Sequence, residues 1–417
     1  MSNDWMKGLY QKSVTERQRL IAKHCQLTPA EEKVFRNQTT SIHNELIENY
    51  VMDYQLPEGV ALQLKVNGQQ YVVPLATEEP SVIAAACNGA KRITASGGFK
   101  AAQQTRIVRC QVLISDADEQ QFSEWCQENH EQILQVANDA HPSMRKRGAG
   151  AKNYQVRRAG RFLSLDILID VDQAMGANSV NTMAEAVGEY CHQHGWHVLA
   201  AILSNYAIDA VQMVKCLVHN DQLATKEMTG RQVAERIAAL SEVAQADPYR
   251  AVTHNKGIMN GIDAAVVASG NDWRAVEAGA HAYAARDGQY RGLSQWHLVD
   301  NGLEGILTIP LTVGVVGGSI KLTPQSKVNY QISQIKSAQE LSAVIASVGL
   351  AQNLAALRAL ATTGIQSGHM KLQYRSLAIS VGANTNEIEP LTELLRTVPK
   401  VDTAVAKQLL QQLRKEQ

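Results

Sequence analysis

Nothing in the 417 residues tips the balance of charge. Forty lysines and arginines face forty aspartates and glutamates, which argues against a general affinity for nucleic acid or for an anionic membrane surface. No apolar run approaches the ~20 residues that cross a bilayer. The Met-Ser-Asn-Asp start has neither the basic nor the apolar region of a signal peptide. The six cysteines (Cys25, Cys87, Cys110, Cys126, Cys191 and Cys216) include no pair at Cys-x-x-Cys spacing and read as buried free thiols of a reducing, cytoplasmic compartment. No Gly-x-Gly-x-x-Gly follows a strand pattern, so a Rossmann dinucleotide site is not supported. A phosphate-binding P-loop and His-Glu-x-x-His are missing too. Ser333-Gln334-Ile335-Lys336 matches a Ser-x-x-Lys acylase motif without its companions. His192, His194 and His197 straddle a helix end and a strand start around Gly195-Trp196. That is a poor frame for fixed metal geometry, and no metal site is expected.

What is present predicts two or three domains, by a prior of roughly 150 residues each. The first forty residues are helical, with a capping box and first-turn proline at Thr28-Pro29-Ala30-Glu31. Ala61–Val73 is the clearest hairpin, turning on Asn67-Gly68. Thr77-Glu78-Glu79-Pro80-Ser81 then opens an alanine-rich helix. From Ile107 the order is strand (107–114), helix (119–138), basic glycine-bearing loop (144–150), two strands (154–157 and 162–171), helix (182–192) and strand (198–203). This β-α-β-β-α-β order is the ferredoxin-like arrangement. The fold class is therefore α+β: a large, mostly helical domain (1–106 and 206–364), an inserted ferredoxin-like small domain (107–205), and a C-terminal segment (365–417) whose flanking glycines suggest that it moves. Thr229 caps a helix ending at Asp247-Pro248, Leu307–Gly318 reads as a strand-and-glycine segment, and Ser337–Glu340 caps a long helix reaching about Thr362.

One stretch, Asp247 to Gly288, packs Arg250, His254, Lys256, Asn260, Asn271, Asp272 and Arg274 among small apolar residues. Its polar residues are expected in turns beside Gly257, Gly261 and Gly270, between about two short helices, where backbone can approach an anionic substrate closely. Each residue also has a plain structural role open to it. Glu79 can be an acid at a helix start, Lys256 a turn lysine, Asp272 a helix cap and His369 a loop histidine.

Taken together, the segments resemble the soluble bacterial class of 3-hydroxy-3-methylglutaryl-CoA reductases, over nearly the whole chain. The resemblance rests on Glu48-Asn49, Ala76–Ser81, Asp172-Gln173-Ala174-Met175-Gly176-Ala177-Asn178, Asp247–Arg250, His254–Gly261, Gly270–Arg274 and Gly364–Met370. It implies reduction of the CoA thioester to mevalonate and CoA in two hydride transfers. It also implies roles for side chains. Lys256 would be the cation aimed at the developing oxyanion, Glu79 the proton donor to the carbonyl oxygen, Asp272 the carboxylate tuning both, and His369, on a closing C-terminal flap, the acid that protonates the departing thiolate. Ser81, Asn205, Arg250 and Asn260 match positions that hold the substrate.

The nicotinamide cofactor is implied to lie on the small domain, against Asp172, Met175, Gly176, Ala177 and Asn178 and the following helix start. Where the family's NADH-using degradative member places an acid for the ribose 2′-hydroxyl, this chain has His141, followed by Arg145, Lys146 and Arg147. A positive group there favours the 2′-phosphate of NADPH over NADH. The resemblance also implies a homodimer, or a larger homo-oligomer, with its active sites between subunits. Two alternatives stay open: NAD-dependent catabolic oxidation of mevalonate by the same fold, and an inactive CoA-binding homologue.

Overall fold

A computed structural model of the chain describes residues 3–362, 364 and 374–415. It divides into two compact units, Met1–Pro57 and Glu58–Gln417. In the first, the capping box at Thr28 opens the helix Pro29–Asn37. The helix before it, Val14–Cys25, is tied to the end of the unit by buried polar side chains. Arg17 Nη1 donates to the Tyr50 carbonyl (2.7 Å) and Gln18 Nε2 to that of Val51 (2.7 Å).

The second unit carries two sheets. Its described strands are β1 (Glu58–Val66), β2 (Gln69–Ala76), β3 (Phe99–Ala101), β4 (Ile107–Ser115), β5 (Gly150–Ala159), β6 (Phe162–Asp170), β7 (His197–Ser204), β8 (Val211–His219), β9 (Ser294–Val299) and β10 (Gly302–Pro310). β1 and β2 form the expected hairpin, with Asn67 at φ 48° and Gly68 at φ 91°, the positive pair a two-residue turn needs. The hairpin edges a six-stranded sheet in the order β2-β1-β3-β8-β10-β9. The large half of the chain is thus less purely helical than expected. β3 is too short to show a period. β8 alternates, but one of its buried positions is Gln212. The strand expected from Leu307 starts at Gly302 and stops at Pro310.

The second sheet, β5-β6-β4-β7, has every neighbour antiparallel, which is the ferredoxin-like order. The α+β class holds. Along β4, Val108, Cys110, Val112 and Ile114 are buried against Phe122, Ile133 and Val180 of the covering helices, as the period of two requires. The helix expected over 119–138 is two, Glu119–Glu128 and His130–Ala140. They break at Asn129, whose amide donates to the Trp125 carbonyl (2.9 Å) and accepts from Tyr190 OH (3.0 Å). The helix expected from Thr182 begins five residues earlier, as Ala177–Gln193.

The core of the larger sheet is built on the helix Ala338–Ala361, which packs on Val82–Ala95 and Pro248–Ala268. It is long and apolar enough to cross a membrane by length and composition, but 72% of its most apolar window is buried inside the protein. Near the C-terminus stand the helices Thr385–Thr397 and Thr403–Lys415. They share a small core of Leu391, Leu395, Ala406 and Leu410. Gly368-His369-Met370, on the segment expected to close as a flap, lies outside the described residues. All six cysteines are free: Cys110, Cys126, Cys191 and Cys216 are buried and Cys87 half-buried. Cys25 is exposed, against expectation, because it ends the Val14–Cys25 helix. Burial pushes the Cys110 and Cys191 thiols up to about 12 and raises those of Cys126 and Cys216 as well.

Candidate active site

The polar stretch is organised differently from the turn-rich arrangement expected of it. Asp247 accepts from the Tyr249 and Arg250 amides, Pro248 occupies the first turn, and one continuous helix runs Pro248–Ala268. Gly257 and Gly261 lie inside it, where each glycine costs about 1 kcal/mol relative to alanine. At Gly261 the reason is packing. A Cβ there would stand 3.0 Å from Val348 on the crossing helix, so the two backbones approach more closely than a side chain permits. Lys256, Asn260 and Asp263 fall on one face of the helix. Lys256 is exposed.

Asp272 caps the next helix, Trp273–Ala284, accepting from the Arg274 and Ala275 amides (3.0 and 3.3 Å). Its other neighbours come from far along the chain. Ala174–Ser179, Gly270–Arg274 and Val316–Ile320 contribute to the wall of a cleft of about 360 Å³. Met175, Gly176, Ala177 and Asn178 therefore share one cleft with Asp272. The helix Ala177–Gln193 opens into this cleft, with Gly176 as its N-cap at φ 95° and no side chain capping it. Its first-turn amides and the positive end of its dipole are suited to an anion. Of the remaining cofactor candidates, His141 shares a hydrogen bond with Ser179 at that helix start (3.0 Å) and Asp172 pairs with Arg147 (3.3 Å). Arg145, exposed, pairs with Asp139 (2.8 Å). Arg147 thus stands closer to the Asp172–Asn178 loop than the expected Arg145.

Lys256 and Asp272 do not meet within one chain. Ser81 Oγ donates to Glu79 Oε1 (3.0 Å). Both follow β2, whose last residue, Ala76, pairs with Glu58. The Asn329 amide bonds the Glu58 carboxylate (2.8 Å) and the Ala268 carbonyl (2.9 Å), which sets the end of β2 at the C-terminal end of the Lys256 helix. Asp272, four residues past Ala268, lies toward that end of the helix. Lys256 is twelve positions before Ala268, about 18 Å along the axis at 1.5 Å per residue, beyond a lysine's reach. Arg250 and Asn260 keep Lys256 company on its helix, and the backbone of Asn205 packs beside Gly279 of the following helix. His369 lies outside the described residues.

The Lys256 helix carries three buried polar atoms without a hydrogen-bond partner: Arg250 Nε, His254 Nδ1 and Asp263 Oδ1. Unpaired buried groups cost free energy and concentrate at sites that bind or react. Burial lowers the Arg250 pKa. His254 is held by Ser294 (2.7 Å), which donates to Asn353 (2.9 Å), an acceptor also for the Trp296 indole (2.7 Å). Burial, with Arg250 close by, pulls the imidazole down to about 4. Burial and the carboxyl of Glu277 push Asp263 up to about 9. Sequence reasoning missed these networks because their partners lie tens of residues apart. It singled out Asn271 but not its partner: the Asn271 amide bonds both the carbonyl (3.0 Å) and the N–H (2.8 Å) of Gly314. The run Gly270-Asn271-Asp272 was the signal for Asn271 itself. Among the described residues, no group of His, Cys, Asp and Glu is placed to hold a metal ion.

The cleft thus pairs a helix N-terminus with a carboxylate cap, on an α+β fold. The family model for hydroxymethylglutaryl-coenzyme A reductase matches residues 13–374. The chain is 38% identical to the 3-hydroxy-3-methylglutaryl-coenzyme A reductase of Archaeoglobus fulgidus, across 98% of this chain and 94% of that protein. It is similar to the Streptococcus pneumoniae enzyme, with TM-score 0.76 and 42% identity, covering 98% of this chain and 99% of that one. A further structure from that organism, of a class II enzyme bound to NADPH in open conformations, has TM-score 0.76 and 43% identity, over 97% of this chain and 100% of that one. The chain belongs to the hydroxymethylglutaryl-coenzyme A reductase family.

Proposed function

We propose that the protein reduces 3-hydroxy-3-methylglutaryl-CoA to mevalonate and CoA with NADPH. The observation that carries this is the cleft in which Met175–Asn178 face Asp272. The residues there suit a dinucleotide: the Gly176-capped helix end for phosphate, and His141 and Arg147 nearby for a further anionic group. NADPH supplies two hydrides in succession.

The chain's own groups do the rest. The Lys256 ammonium stabilises negative charge as the thioester carbonyl becomes a hemithioacetal. Glu79 delivers a proton to that oxygen, oriented by Ser81. When the C–S bond breaks, the hemithioacetal hydroxyl returns its proton to Glu79 and His369 protonates the CoA sulfur. The aldehyde left behind takes the second hydride, and that proton back from Glu79, to become the alcohol. Because Lys256 and Asp272 stand apart in one chain, the working site takes Lys256 from one protomer and Asp272 from its partner. Exposed Tyr249 and Val252 beside Lys256, and exposed Trp273 beside Asp272, give both halves the apolar surface that an interface buries.

Adding 3-hydroxy-3-methylglutaryl-CoA to the protein with NADPH should consume two NADPH per mevalonate formed, read as loss of nicotinamide absorbance. No consumption would favour a binding role. A preference for mevalonate and NAD+ would favour the catabolic direction. Arg250, with its unpartnered Nε, is the natural bidentate partner of the substrate's terminal carboxylate. Arg250→Lys is expected to raise KM for the thioester about tenfold or more, since charge-assisted bonds are worth about 1.5–3 kcal/mol, while KM for NADPH stays within twofold.

A further inference from the structure

Arg106 enters β4 from the linker that follows β3, and only 7% of its surface is exposed. Its guanidinium meets no carboxylate among the described residues. It donates instead to four neutral acceptors on three separate segments: the Asp172 carbonyl from Nε (2.9 Å), the Ala174 carbonyl (2.9 Å) and the Val313 carbonyl (2.6 Å) from Nη2, and Gln104 Oε1 from Nη1 (3.0 Å). Gln104 in turn donates to the Ala210 and Leu311 carbonyls (2.7 and 2.8 Å). Burying a cation on neutral acceptors alone is costly. Burial brings this one down to about 10, partly offset by the fields of Asp170 and Asp172, so it stays charged at neutral pH.

What the cation holds is the loop Asp172–Gly176, pressed against Val313–Val316. The same two segments are joined by the Val315 amide to the Gln173 carbonyl (2.9 Å) and by an Ala174–Val316 bridge. They lie so close at Gly314 that a Cβ there would stand 2.4 Å from the Met175 nitrogen. Asn271 grips Gly314 on both sides, and Asp272 is the next residue. One unbroken line of contacts therefore runs from the guanidinium, through the loop that ends in Met175 and Gly176, to the carboxylate across the cleft.

We propose that Arg106 is a positioning residue for the reaction: it fixes the cofactor loop at a set distance from Asp272, and so sets where the nicotinamide lies relative to the reacting carbon. The inference rests on the cofactor reading of the cleft given above. A planar fork of five donors can span three segments, whereas an ammonium donates from a single point. Arg106→Lys therefore keeps the charge and loses the clamp.

The test compares the full-length wild type with Arg106→Lys and Arg106→Gln, reading NADPH Kd by nicotinamide fluorescence, KM for both substrates, and Tm. A loop displaced by about 1 Å costs on the order of tenfold to a hundredfold. Both variants should raise Kd and KM for NADPH by at least about tenfold and leave KM for the CoA thioester within twofold. Gln104→Leu, which removes one acceptor without emptying the core, should give the same split at smaller size and covers the case in which the Arg106 variants do not fold. A fall in Tm with unchanged NADPH binding, or equal rises in both KM values, would overturn the proposal and leave the cofactor reading standing. Failure of the wild type to bind NADPH would remove the cofactor reading first and this inference with it.

Discussion

Two inactive variants, Lys256→Ala and Asp272→Asn, are expected to restore activity when mixed. Each alone loses about 100- to 1,000-fold in kcat, the usual cost of removing one group that stabilises a developing oxyanion. Refolding them together in equal amounts makes half of the dimers mixed. In a mixed dimer one site carries both substitutions and the other carries neither. Two-fold symmetry then predicts about a quarter of the wild-type rate. The expectation comes from the unbroken helix Pro248–Ala268, which holds Lys256 about 18 Å along the axis from the end where Asp272 begins the next helix. Each variant refolded alone supplies the control and should restore nothing. Recovery in the control, or none in the mixture, would rule out a site shared in this way.

The second large effect is on stability in acid. His254 is folded with a pKa of about 4, against 6.5 for the free side chain. The unfolded chain therefore binds a proton that the folded one refuses. Stability is full above pH 6.5, falls as pH drops through the window, and has lost this contribution entirely below pH 4. A shift of this size corresponds to about 3 kcal/mol. His254→Gln keeps a donor for Ser294 and removes the titration. Its unfolding free energy, measured in denaturant from pH 7 to 4, should lose about 3 kcal/mol less than that of the wild type. Parallel curves would mean that the imidazole is not the group that titrates.

How much of this could be read from residues alone follows the range of the interactions. The Thr28 and Thr229 capping boxes, the Asn67-Gly68 turn and the Asp247-Pro248 helix boundary all stand as expected, because each is settled within four residues of chain. The βαββαβ order was legible because its apolar periods are long and regular. Gly257 and Gly261 misled: at Gly261 the cost of glycine inside a helix is offset by a helix crossing at Val348, which no local pattern reveals. β8 was missed for a related reason, since its buried Gln212 spends its amide on the Ala102 and Met213 carbonyls (2.8 and 2.9 Å) and does not look like a core residue in sequence. The candidate site was half legible. Contiguous motifs marked Glu79, Lys256 and Asp272, but spacing along the chain gave no hint that a straight helix keeps two of them apart. Arg106 stands in no motif at all, and its significance appears only when three distant carbonyls converge on it.

The buried thiols give each half of the second unit a built-in reporter. Cys110, Cys126 and Cys191 sit in the core of the four-stranded sheet, and Cys216 sits in that of the six-stranded one. With their ionisation suppressed by burial, they are inert to alkylating reagents for as long as the surrounding layer stays shut. Labelling of either set therefore timestamps the opening of one layer independently of the other. Exposed Cys25 offers a reference for the reagent's intrinsic speed.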